Sequence, residues 1–169
     1  MRILTILLLL VCGSSAFAQT IDDQMLYLSK KVTAPDTFKS DFFRDKDLDY
    51  SIDSLHSINE YLELVRPHES ELSERQYFNI VTRTGAYVGE VLRREAKGKN
   101  CHWYQYQTLA PDNEFLSSLG ESMSTFAILQ CDTGATFPVG KVIKYMDFGS
   151  SEDVHFYVIV ILRNWNELK

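Results

Sequence analysis

The chain has 169 residues, 45% of them hydrophobic, and 17 Lys and Arg stand against 23 Asp and Glu for a net charge of −6. This length suits one compact domain with its own hydrophobic core, independent of metals or many disulfides. The negative charge repels phosphate backbones and anionic lipid surfaces, so neither nucleic acid nor a membrane surface is an expected partner.

Residues 1–18 read as a secretory signal peptide cleaved before Gln19. Arg2 supplies the basic start, Ile3 to Val11 is an almost unbroken apolar run, and Ala16-Phe17-Ala18 puts small residues at the cleavage positions. The apolar run is too short to span a bilayer. Acylation at Cys12 needs a small residue where Val11 stands. The expected location is therefore periplasmic or secreted, with no stable membrane insertion after cleavage. Arg2 leaves with the leader, so the net charge moves from −6 to −7.

Residues 19–47 read as a short N-terminal helix and a charged connector. Ile21, Met25, Leu26 and Leu28 share a helical face that ends before Pro35. Phe38 to Asp47 is mixed in character and irregular, and a chain start of this kind is often loosely held. Residues 48–169 then read as a single α+β domain. Ser51 is a good N-cap, flanked by Tyr50 and Leu55 at the spacing of a hydrophobic staple. Leu55, Ile58, Leu62 and Val65 make one apolar stripe that stops at Arg66 before Pro67. A second helix opens at Ser73, three residues before Gln76, and runs to about Ala96, with Gly98 placed to end it. Gly85 and Gly89 lie one turn apart inside it, each costing up to about 1 kcal/mol relative to Ala. A helix retains such residues where another backbone must come close.

From Cys101 the pattern turns β-favouring. His102 to Tyr106 and Met123 to Gln130 are predicted strands, Asp132-Thr133-Gly134 a turn, and a short third strand ends near Phe137. Ala110 to Gly120 is a predicted loop with one helical turn. Pro138 opens a helix that Gly149 stops. His155 to Leu162 fits either a buried strand or a helix with Ser150 and Asp153 as a capping pair; the spacing of Val154, Tyr157, Val158, Ile161, Leu162 and Trp165 favours the helix. The fold class expected is α+β, with two packed helices against a small antiparallel sheet and further C-terminal helices.

Cys101 and Cys131 remain after cleavage. In an oxidising compartment a disulfide is the expected state, buried thiols or a reactive pair being the alternatives, and their separation excludes a C-x-x-C redox site. Gly120-Glu121-Ser122-Met123-Ser124 lacks the last glycine of a nucleophile elbow and does not join a strand to a helix. His56, His68, His102 and His155 show no metal-ligand spacing, and no phosphate-cradling glycine loop occurs. No metal, cofactor or catalytic residue is expected. The best candidate binding patch is Glu90, Arg93 and Arg94 with Trp103 and Tyr104: a carboxylate and guanidinium groups beside an aromatic wall. Its simpler explanation is a surface pair of Glu90 with Arg94, four residues apart.

The stretch L-D-Y-S-I-D-S-L-H-S-I-N-E-Y-L (Leu48 to Leu62), then G-A-Y-V-G-E-V-L-R-R (Gly85 to Arg94), then Trp103, resembles a family of small uncharacterised bacterial domains with the pattern LDYS…GAYxGEVxRR…W. Phe137 to Tyr145 (F-P-V-G-K-V-I-K-Y) resembles a later segment of that family. The resemblance implies an α+β domain and brings no catalytic residues. Such domains are similar to some immunity proteins, which bind and block antibacterial effectors. The function expected is that of an exported, non-enzymatic binding protein, an immunity protein for a basic effector, whose encounter the negative charge would speed. The alternative is a hydrolase with its site around Glu90, Arg94 and Trp103.

Overall fold

A computed structural model of the chain describes residues 20–97 and 99–165. The expected leader at 1–18 and the helix stop at Gly98 lie outside the described residues. Among the described residues, seven α-helices and a three-stranded antiparallel sheet make an α+β fold, with helices following the sheet. No helix among them is long and apolar enough to cross a membrane.

Helix α1 (Ile21–Lys30) starts at Thr20, whose hydroxyl accepts from Asp23 N–H at 3.1 Å while the Asp23 carboxylate accepts the Thr20 N–H at 3.3 Å. Helix α2 (Leu55–Val65) begins four residues later than Ser51, because residues 51–54 form a tighter turn first. Ser51 still caps that turn, its Oγ accepting Ser54 N–H at 3.2 Å. Pro67 converts the chain after α2 into a 3₁₀ turn, Arg66–Glu71. Helix α3 (Glu74–Glu95) opens with the expected reciprocal cap between Ser73 and Gln76.

The strands are β1 (His102–Gln105), β2 (Ala127–Cys131) and β3 (Gly134–Thr136), ordered β1-β2-β3, with Trp103 opposite Leu129 and Leu129 opposite Thr136. Strand β2 begins later than Met123 because Ser122 to Thr125 closes a turn, Thr125 Oγ1 accepting Ser122 N–H at 2.9 Å. Cys101 and Cys131 are joined by a disulfide that closes a 30-residue separation. In the chain-entropy account, a crosslink of that span stabilises by about 3–4 kcal/mol. The connection between β1 and β2 holds more helix than one turn: α4 (Tyr106–Leu109), then α5 (Glu114–Leu119), capped by Asn113. Helix α6 (Pro138–Phe148) runs from proline to Gly149, which ends it at φ 71°. The last element is a helix, α7 (Val154–Asn164), with Val154, Val158 and Leu162 on its buried face. Asp153 alone caps it, accepting Phe156 N–H at 2.7 Å; Ser150 lies in the preceding 3₁₀ turn.

Helix α3 is the axis of the fold. Thirteen consecutive residues, Ile80–Leu92, are buried, so it has no solvent face through its middle. It packs chiefly on α1 and α6, and also on α7. Gly85 and Gly89 make the closest approaches possible. A Cβ at Gly85 would stand 2.6 Å from Val139 Cα, so the backbones of α3 and α6 meet there. A Cβ at Gly89 would stand 2.1 Å from the Trp103 ring, so here the neighbour is an indole rather than a backbone. The buried hydroxyls of Thr82 and Thr84 donate to carbonyls one turn back, at Phe78 and Ile80.

The N-terminal segment is firmly held on this axis, contrary to a loosely attached start. Met25 is fully buried. Beyond α1, the buried Arg83 guanidinium donates to both Asp36 carboxylate oxygens at 2.8 Å and to Thr37 Oγ1 at 2.5 Å. The hydrogen bonds from Arg83 bring the Asp36 carboxyl from its ordinary 3.8 down to about 2. The stability this pair lends is complete above pH 4 and is lost as pH falls through about 2.

Two measurements check this packing. Gly89→Ala gains helix propensity but drives a methyl group into a buried indole, and should lower stability in chemical denaturation by about 2 kcal/mol or more; an unchanged or raised stability contradicts the close approach. Asp36→Asn should flatten the fall of Tm between pH 4 and pH 2; a slope equal to that of the wild type contradicts the Arg83 pairing.

Candidate functional site

Of the residues singled out in sequence, Glu90, Arg93 and Trp103 come together at the C-terminal half of α3, in the interior and not as an exposed patch, while Arg94 and Tyr104 lie elsewhere. Glu90 is 0% exposed. Its partner is Arg93, not Arg94: Arg93 Nε and Nη2 donate to Glu90 Oε1 and Oε2 at 3.0 and 2.8 Å. The carboxylate raises the Arg93 guanidinium above its ordinary value, chiefly through these bonds. Trp103, pressed on Gly89, donates its indole N–H to Glu90 Oε1 at 3.0 Å. Three donors thus converge on one buried carboxylate, the condition under which an interior charge is tolerated.

The expected surface pair of Glu90 with Arg94 is absent, because Glu90 points into the core and Arg94 points out. Arg94 instead lies over the Tyr50 ring, 3.7 Å from its centroid. Tyr50 stacks in turn on Tyr87 at 4.7 Å, with its ring planes 20° apart. Tyr50 holds a left-handed backbone, φ 64°, which costs a residue with a Cβ about 1 kcal/mol or more. Its N–H donates to Tyr87 Oη at 2.9 Å. Since the Ser54 hydroxyl donates to Ser51 C=O, the Tyr87 hydroxyl donates to Ser54 Oγ, 2.8 Å away. Burial is the first cause raising the Tyr87 phenol, which is therefore a neutral hydrogen-bonding group. The L-D-Y-S and G-A-Y-V-G-E-V-L-R-R segments thus meet through Tyr50, Tyr87 and Arg94.

Trp103 and Tyr104 belong to opposite faces of β1. The strand docks on the start of α1, where Asp22 accepts the Trp103 N–H at 2.7 Å and sits 2.7 Å from His102 Nδ1. A shallow cleft of about 400 Å³ opens there, lined by Asp22, His102, Tyr104 and Thr108 among others. A larger groove of about 780 Å³ lies along the first turns of α3, where Leu72, Tyr77, Phe78 and Met123 form the floor and Glu69, Glu74 and Arg75 the rim. Phe78 and Met123 are 44% and 39% exposed. Burial and the charges of Glu69 and Asp147 raise the Tyr77 phenol. No local pattern marks this groove: Tyr77 follows the apolar spacing of α3, and Met123 reaches it from the far side of the β1–β2 connection.

His155 lies in an apolar run but is partly exposed, and its ring stacks on that of His56 at 3.9 Å between centroids. Burial and the neighbouring His56 ring lower its imidazole. Local spacing could not reveal a pair drawn from α2 and α7. No protein-family model, no curated protein and no solved structure matches the chain.

Removing the carboxylate tests the core role of Glu90. Glu90→Ala strands the Arg93 charge and the Trp103 indole and should cost about 3–5 kcal/mol of folding stability. Glu90→Gln, which can still accept from the indole, should cost less. Two variants as stable as the wild type would place Glu90 outside the packing network.

Proposed function

We propose that this chain is an exported protein that works by binding another protein, and that its partner presents a basic surface with apolar residues. The observation that carries the reading is the acid-rimmed apolar groove along the start of α3. Phe78 and Met123 offer exposed apolar area beside Tyr77, and the charged residues lining the groove are two carboxylates, Glu69 and Glu74, against one cation, Arg75. Exposed aromatic and methionine side chains are the residue types enriched at interface centres, and a charged rim steers encounter. The net charge of −7 expected after removal of the leader acts in the same direction. The leader-like start and the Cys101–Cys131 disulfide support work in an oxidising compartment, periplasmic or extracellular.

Within this reading, the likeness of Leu48 to Leu62 and Gly85 to Arg94 to an uncharacterised bacterial domain family, itself similar to immunity proteins, supports a narrower role: neutralising a basic antibacterial effector. The hydrolase alternative around Glu90, Arg94 and Trp103 has little support, since Glu90 is enclosed and already accepts from Arg93 and Trp103.

A photo-crosslinking residue at position 78 tests the proposal in cells of the host. It should yield one stoichiometric adduct with a basic protein, lost at high salt and lost when Glu69 and Glu74 are replaced by Gln. Absence of a discrete adduct at low salt, or an adduct indifferent to those substitutions, contradicts it.

A further inference from the structure

The fold brings together a donor set that no local motif announces. Asp53 stands in the turn before α2 and His56 in the first turn of α2, and His155 lies in the first turn of α7, ninety-nine positions beyond His56. One ligating atom from each of the three lies within 4.8 Å of the other two. Their backbones are held in register independently of those side chains. The Asn59 amide oxygen on α2 accepts Val154 N–H at 3.0 Å, which pins the start of α7 to α2. Beneath that bond Leu55, Ile58 and Leu62 of α2 and Val154 and Val158 of α7 are fully buried in the common core. The imidazole pair therefore sits on a rigid helix junction, with Asp53 and His56 exposed and His155 partly so.

From this juxtaposition we infer that Asp53, His56 and His155 form a binding site for a divalent transition-metal ion, clamping α2 to α7. Two imidazole nitrogens and one carboxylate oxygen suit Zn²⁺ and Cu²⁺ and are poor ligands for Ca²⁺ or Mg²⁺, which take oxygen donors. Donors around a tetrahedral zinc stand about 3.3 Å apart, given bonds of about 2.0 Å. The three donor atoms already lie within 4.8 Å of one another, and on binding the side chains would turn to bring them to that spacing. The exposed side of the site leaves at least one position for water. Asp153 adds negative charge beside His155 while it caps α7 through Phe156 N–H. The site lies apart from the groove at Phe78 and does not depend on the partner reading.

Titration of the purified protein with zinc chloride, read by calorimetry, tests the site, with calcium chloride as the control ion. One equivalent of zinc should bind. His56→Ala and His155→Ala should each weaken binding at least about tenfold, as expected for loss of one of three ligands, and His68→Ala should leave it unchanged. Saturating zinc should raise Tm by about 5 °C in the wild type and not in His155→Ala. Copper(II) bound at one equivalent should show two nitrogen couplings in its electron paramagnetic resonance spectrum. Asp53→Asn, an exposed substitution, gives an independent variant should either histidine variant fold poorly. No saturable zinc binding, or binding retained by the His56→Ala/His155→Ala double variant, overturns the proposal.

Discussion

The burial of α3 on every side is the constraint on which the rest of the structure depends. A helix with no solvent face must satisfy or remove nearly every polar group along thirteen residues, and must let neighbours approach from several directions. Both demands are visible in its composition. Thr82 and Thr84 turn their hydroxyls back on the helix, Arg83 reaches Asp36 and Thr37 through its two terminal nitrogens and leaves only its Nε without a partner, and Glu90 finds Arg93 and Trp103. Gly85 and Gly89 remove the side chains that would hold α6 and β1 away. The cost in helix propensity is offset by close packing with Val139 and Trp103.

The same constraint explains why the most conspicuous polar residues of the chain make a poor active site. Glu90 accepts from three donors and is shut off from solvent, so neither a substrate nor an attacking water has a route to its carboxylate. Arg94 escapes the core only to cover Tyr50, completing a cation, phenol, phenol stack over the turn before α2. The left-handed backbone at Tyr50 is held by that stack and by its hydrogen bond to Tyr87. Surface function is left to what lies outside this network: the groove at the start of α3 and the α2–α7 junction.

Much of the fold was legible because its signals are local. The Ser73–Gln76 cap, the stop at Pro67, the opening at Pro138 and the change of period after Cys101 each depend on neighbours within a few residues. The paired glycines were legible as a sign of close approach, although an indole, not a backbone, meets Gly89. The failures are equally physical. Helix periodicity sets Tyr77 on the same stripe as the fully buried Ile80 and Val81, yet Tyr77 lines a groove, because that difference lies in what packs opposite. The i, i+4 rule favoured Glu90 with Arg94, whereas the helix turns Glu90 inward and leaves only Arg93 able to follow it. His56 and His155 carry no joint signal in sequence, since only the packing of α2 on α7 makes them neighbours.

Native-state hydrogen exchange tests the central role of α3 most directly. If the helix is the axis of the fold, the amides of residues 80–92 open only when the whole protein unfolds, and their opening free energy equals the global stability. Exchange in α3 that proceeds more readily than in α2 or α6, under conditions where those helices remain protected, would contradict the account.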